Sequence, residues 1–97
     1  LIVSNPPYIP TGVIGGLDKE VLSEPFIALD GGRDGLKVAR SIISRAPRAL
    51  KNGGALFLEL GDLQGRQAFK LLDGARWGER RLYADLNGKK RFVYGRI

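Results

Sequence analysis

Near the start of the chain an apolar run, Leu1-Ile2-Val3, leads into Ser4-Asn5-Pro6-Pro7-Tyr8. These residue types suit work on a planar NH2 group. The nitrogen of an amide or of an aromatic-ring amine is a poor nucleophile, because its lone pair is delocalised into a π system. The side-chain oxygen of Asn5 can accept a hydrogen bond from such a group. Pro6 has no N–H, so its backbone offers a carbonyl as the second acceptor. Two acceptors would draw the nitrogen towards a tetrahedral geometry and aim its lone pair at an electrophilic methyl group. Pro6 biases Asn5 towards an extended backbone, the Pro6-Pro7 pair stiffens the loop, and Tyr8 offers a flat face for stacking. Such a site acts by orientation and hydrogen bonding, without a strong base. A plain strand-exit turn also uses Asn and Pro, so the reading depends on the elements around the tetrapeptide.

Those elements follow from periodicity. Leu1 to Ser4 reads as the end of a buried strand, which puts Asn5 to Tyr8 at its carboxyl end, where open α/β sheets bind ligands. Residues 9 to 34 read mostly as loop, with a helical turn near Leu17 to Leu22. From Leu36, apolar residues recur at Ala39, Ile42, Ile43, Ala46 and Leu50, the spacing of a helix. Asp34 is placed to cap its start, Asn52-Gly53-Gly54 to end it, and Pro47 to kink or interrupt it. Ala55 to Leu60 is a continuous apolar run with one Glu, a central parallel strand. Residues 62 to 73 form a second helix, with Ala68, Phe69, Leu71 and Leu72 inward. Glu79 to Leu86 and Lys89 to Ile97 flank Asn87-Gly88, a two-residue hairpin signal, with Leu82, Ala84 and Leu86 alternating inward. The chain therefore reads as α/β: parallel strands joined by a right-handed crossover helix, closed by an antiparallel hairpin.

Asn-Pro-Pro-Tyr after an apolar strand resembles the acceptor-amine motif of class I methyltransferases. Pro10, Glu24-Pro25, Ala28-Leu29-Asp30-Gly31-Gly32-Arg33-Asp34-Gly35-Leu36, Glu59-Leu60-Gly61, Gln64-Gly65, Asp85-Leu86-Asn87-Gly88 and Arg91 follow in order. Together they resemble the protein-glutamine methyltransferases that act on peptide chain release factors, over nearly the whole chain. Asn-Pro-Pro-Tyr alone is shared with DNA adenine amino-methyltransferases; the stretch from Glu24-Pro25 to Gly35 is more specific. Arg76-Trp77 departs from the family pattern away from the site.

The resemblance implies S-adenosylmethionine as cofactor and a release factor as protein substrate. It implies that Asn5, Pro6 and Tyr8 act on the acceptor amide, with Pro7 and Glu24 helping to bind it and Asn5 also touching the cofactor. It further implies a doubly wound sheet of which residues 1–97 are the C-terminal part of one catalytic domain. No Gly-rich strand-to-helix turn that would cradle the cofactor occurs in the chain, nor an acidic residue after a second strand for a ribose. The cofactor-binding first half is expected upstream.

Hydrophobic residues make up 43% and charged residues 27%, ordinary for a globular domain. No run is long enough to span a membrane, and no signal-peptide pattern occurs. With neither Cys nor His, a disulfide framework is excluded and a zinc site is not expected. A cytoplasmic enzyme is expected. The net charge of +6 lies entirely in residues 66 to 97. Because those cations are spread over a helix, a strand and a turn, they read as a solvated face rather than a nucleic-acid surface. Glu59 is expected to accept hydrogen bonds from loop N–H groups, Trp77 to anchor the core, and Tyr83 and Tyr94 to pack on the sheet. Gly31-Gly32 serves either a turn or the close approach of a ligand. Two alternatives remain open: a methyltransferase of adenine in DNA, which would need a target-recognition segment, and a non-catalytic fragment that binds a partner through its basic end.

Overall fold

A computed structural model describes residues 1–72 and 76–97. Four strands form one sheet in the order β1-β2-β4-β3. Strand β1 (Ile2–Ser4) pairs in parallel with β2 (Ala55–Glu59), with Ile2 opposite Leu56 and Ser4 opposite Leu58. Strand β4 (Lys90–Arg96) runs antiparallel to β2 and to β3 (Glu79–Ala84). Between β1 and β2 lie two single-turn helices, α1 (Lys19–Leu22) and α2 (Phe26–Leu29), and the longer α3 (Lys37–Ala49); α4 (Gly65–Leu71) joins β2 to β3. The expected mixture of a parallel pair, a helical crossover and a closing antiparallel hairpin is present. Among the described residues no helix is long and apolar enough to cross a membrane.

The core lies on one face of the sheet. Leu56, Leu58 and Leu60 are fully buried there, with Ala39, Ile43 and Ala46 of α3, Ala68 of α4, and Leu72, Trp77 and Val93. Trp77 is the anchor expected of it. Its ring lies so close over Gly95 that a β-carbon there would come within 2.7 Å of it. On the opposite face, Phe57 stacks on Phe92 at 5.7 Å between ring centres and tilts against Tyr83 at 6.2 Å. Tyr83 packs on the sheet as expected, and Tyr94 stands half-buried opposite Phe57.

Several local expectations need correction. Helix α3 runs through Pro47 without interruption. Pro47 stands in the last turn, so its missing N–H removes one bond near a terminus that was about to end anyway. Asp34 does not cap α3: the capping position is Leu36, and Asp34 accepts the Leu36 N–H at 2.9 Å just ahead of the helix. The second helix begins only at Gly65, because residues 61–64 form a turn closed by Gln64 N–H to Gly61 carbonyl at 3.0 Å. Its expected end at Asp73 lies outside the described residues. The stretch from Pro10 to Asp30 holds more order than a loop, with a 3-10 turn at Thr11–Gly16 as well as α1 and α2.

The hairpin turn also differs. Asp85 N–H bonds the Lys89 carbonyl at 2.8 Å and Gly88 N–H bonds the Asp85 carbonyl at 3.0 Å. Only Gly88 in this loop has a positive φ, +79°. The connection is thus a three-residue loop ending in a glycine bulge, not a two-residue turn. The Asp85 carboxylate decides this by accepting the N–H groups of Asn87 and Lys89. The extra residues put Leu86 at the exposed tip, and a register shift at Tyr83/Ala84 leaves Ala84 outside as well. Of the three residues expected inward on this strand, only Leu82 packs against the core.

Candidate acceptor site

Strand β1 ends at Ser4, and the next residues turn over the carboxyl edge of the sheet. Pro6 is buried, Pro7 and Tyr8 are half-buried, and the Asn5 side chain is exposed. Asn5, Pro6, Pro7, Tyr8 and Glu24 line one cavity of about 260 Å³, with Val21 and Ala28 behind them. All five residues singled out in the sequence therefore meet in one place. Glu24 arrives from the end of α1, although it stands far from Asn5 along the chain.

Two features of this cavity suit an amide guest. Among the described residues, nothing hydrogen-bonds the Asn5 carboxamide, and no N–H reaches the Pro6 carbonyl. Tyr8 contributes to the cavity but is not a free-standing plate. One edge of its ring approaches Gly61, where a β-carbon would lie 3.3 Å away. The ring also lines a second cavity, of about 350 Å³, with Pro10, Asp62, Leu63 and Gln67.

The excursion between residues 9 and 32 is zipped at its base. Ile9 N–H bonds the Leu29 carbonyl at 3.1 Å, Gly31 N–H bonds the Ile9 carbonyl at 2.8 Å, and Thr11 N–H bonds the Gly32 carbonyl at 2.9 Å. Side chains reinforce the zipper: the Thr11 hydroxyl donates to Asp30 Oδ1, which also accepts the Gly32 N–H at 3.1 Å. The Thr11 hydroxyl, then the Gly32 N–H, hold the Asp30 carboxyl below its ordinary pKa. Gly31 answers the question left open for it. A β-carbon there would come within 2.5 Å of the Gly35 carbonyl oxygen and 2.7 Å of the Tyr8 α-carbon. The close approach is to the protein's own backbone.

Glu59 does not take the expected loop N–H groups among the described residues. The Leu60 N–H goes to the Arg91 carbonyl at 2.8 Å and the Gly61 N–H to Gln64 Oε1 at 3.2 Å. Residues that sequence reasoning missed are Thr11, Asp30 as its partner, and Gln64. Neither pairing leaves a local signal, because the partners are far apart in the chain. The basic C-terminal stretch is largely engaged within the chain. Arg91 pairs with Asp85 at 2.8 Å, Lys89 with Asp62 at 3.0 Å, and Arg80 donates to the Leu72 carbonyl at 2.9 Å while lying over the Phe69 ring.

No family model matches the chain. Individual relatives do. Over 94 residues, 95% of the chain, it is 47% identical to a release factor glutamine methyltransferase of Thermosynechococcus vestitus. Over 96 residues it is 45% identical to the protein of that name from Deinococcus radiodurans, and over 98 residues 45% identical to that from Geobacter sulfurreducens. The chain belongs to the release factor glutamine methyltransferase family. It spans about a third of the length of these curated relatives: 32%, 34% and 34%. A methyltransferase needs a methyl donor. At the carboxyl edge of β1 the exposed Asn5 carboxamide is the polar side chain of this loop open to such a group. Among the described residues, no three or more Asp or Glu gather as metal ligands would.

Proposed function

We propose that the protein to which this chain belongs transfers a methyl group from S-adenosylmethionine to the side-chain amide nitrogen of a glutamine in a peptide chain release factor. What supports this is that Asn5, Pro6, Tyr8 and Glu24 line one cavity in a chain of this family, and that among the described residues no hydrogen bond engages the Asn5 carboxamide or the Pro6 carbonyl. S-adenosylmethionine, when bound, supplies an electrophilic methyl group. The chain's own residues prepare the nitrogen. Asn5 Oδ1 accepts one amide N–H and the Pro6 carbonyl accepts the other. With both protons held, the nitrogen gives up planarity and its lone pair is aimed rather than delocalised; as the nitrogen–methyl bond forms, the methyl–sulfur bond breaks and one of the two amide protons is released to water. Tyr8 covers one face of the amide. Pro7 keeps the Pro6 carbonyl in place by its own fixed φ, and Glu24 closes the rim. Asn5, exposed at the strand end, is also the residue of this chain that meets the donor.

This chain supplies the acceptor side of the catalytic domain, as the C-terminal part of a doubly wound class I sheet whose first half binds the donor. A substrate that acts in translation termination puts the enzyme in the cytoplasm. The decisive experiment incubates the full-length protein with donor and release factor and locates the methyl group by mass spectrometry. Methyl on a glutamine side chain supports the reading. Methyl on adenine of added DNA, with the release factor unmodified, refutes it.

A further inference from the structure

We propose that Gln64 is a positioning residue for the acceptor loop, holding the main chain at Tyr8 so that the Pro6 carbonyl is presented to the substrate amide. Resting on the function proposed above, this assigns to Gln64 a role beyond its place in α4. Gln64 is a polar side chain only 8% exposed. Its Nε2 donates to the Tyr8 carbonyl at 2.6 Å, across 56 positions of sequence, and its Oε1 accepts the Gly61 N–H at 3.2 Å. Its own backbone is fixed too: the N–H bonds the Gly61 carbonyl at 3.0 Å, and its carbonyl accepts the Ala68 N–H at 2.9 Å in the first turn of α4. The side chain thus starts from a rigid base and ends on the loop that follows β1.

The consequence lies in how the loop is anchored. At one end Ser4 pairs with Leu58 in the sheet. At the other, the Tyr8 carbonyl is engaged by Gln64. Between these anchors stand Pro6 and Pro7, each with its φ set by its ring. Little freedom remains in the direction of the Pro6 carbonyl. The meeting point is also built sterically. A β-carbon on Gly35, whose φ is +79°, would overlap both Gln64 Nε2 and the Tyr8 carbonyl oxygen. The absence of a side chain at Gly35 is what lets Gln64 reach Tyr8.

The test uses the full-length protein with Gln64→Glu and Gln64→Leu. Glu keeps an acceptor for the Gly61 N–H but loses the donor to Tyr8; Leu loses both bonds. Loss of a positioning contact is expected to lower kcat by about ten- to a hundredfold. The KM for release factor and the donor affinity should stay within about threefold, because the pocket walls remain. Hydrogen exchange at the Ile9 amide should accelerate in both variants, since its segment loses an anchor. Donor affinity close to that of the parent certifies that each variant folds, and Gln64→Glu keeps the test alive if Gln64→Leu does not. The proposal is overturned if either folded variant keeps kcat within twofold, or if the whole loss appears in KM. It is also overturned if exchange at Ile9 is unchanged. A parent protein inactive on release factor would instead overturn the proposed function, while the exchange measurement would still judge the clamp.

Discussion

Thr11 and Asp30 close the neck of the excursion that carries Glu24 to the cavity beside Asn5: the Thr11 hydroxyl donates to the Asp30 carboxylate 19 positions further on. The same carboxylate accepts the Gly32 N–H, and the two backbones are zipped on either side of it. Glu24 therefore reaches the cleft from a closed loop whose base is tied to Ile9, the residue after Tyr8.

This neck gives a pH dependence. Asp30 has its pKa lowered from 3.8, chiefly by the Thr11 hydroxyl. A carboxyl with a lowered folded-state pKa adds stability that is present above its unfolded pKa. That stability is lost as the pH falls through the folded value. Thr11→Val should thus lower the thermal midpoint at neutral pH, and the gap to the parent should close below pH 3.8. Melting curves between neutral pH and strong acid would check it. A gap that persists undiminished in acid contradicts this role of Asp30.

Asn5→Ala in the full-length protein should lower methyl transfer by roughly 10² to 10³, the usual cost of losing one oriented hydrogen-bonding group. Donor affinity should fall much less. Single-turnover rates beside calorimetric titration with the donor would separate the two. Near-full turnover in this variant would remove Asn5 from the chemistry.

Much of this site was visible in the sequence because its residues are contiguous. Asn5 to Tyr8 sit directly after an apolar run, so their place at a strand end needed no long-range knowledge. The helix from Lys37 and the strand from Ala55 were visible for a similar reason, since burial on one face writes a period into the chain. What escaped depends on pairs distant in sequence or on side chains competing with backbone. Gln64 looks like any helix-start residue until Tyr8 is folded against it. Asn87-Gly88 signals a two-residue turn, but Asp85 accepts two N–H groups and wins a longer one. Pro47 signals a break, but it falls in a last turn where a lost bond matters little.

For Tyr8 the expected pattern is asymmetric. Tyr8→Phe keeps the ring face and should retain most activity. Tyr8→Ala should lose more, since stacking contributes about 0.5–1.5 kcal/mol beyond area burial. The ring also rests against Gly61, so Tyr8→Ala should in addition lower the thermal midpoint. Steady-state kinetics of both variants would check this. Equal and severe losses would point to the hydroxyl and against a stacking role.

The isolated 97-residue chain should bind S-adenosylmethionine weakly or not at all, and should self-associate. Donor binding in a doubly wound fold draws on backbone N–H groups at a Gly-rich turn and on a carboxylate; under the function proposed above, this chain contributes Asn5 alone to such a pocket. Its sheet also presents one unguarded side. Among the described residues, strand β1 is paired only with β2; Val3 on it is 68% exposed, and Leu1 just before it 83%. An apolar edge without a charge or a proline in the strand pairs readily with another copy. The partly exposed rings of Phe57, Phe92 and Tyr83 on the open sheet face add apolar surface beside it. Sedimentation velocity of the isolated chain should therefore show dimers or larger species that grow with concentration. A charge placed at the edge, Val3→Lys, should shift it towards monomer. Calorimetry should record no micromolar donor binding. A stable monomer that binds the donor at micromolar concentration would mean that the donor pocket lies within these residues rather than beyond them.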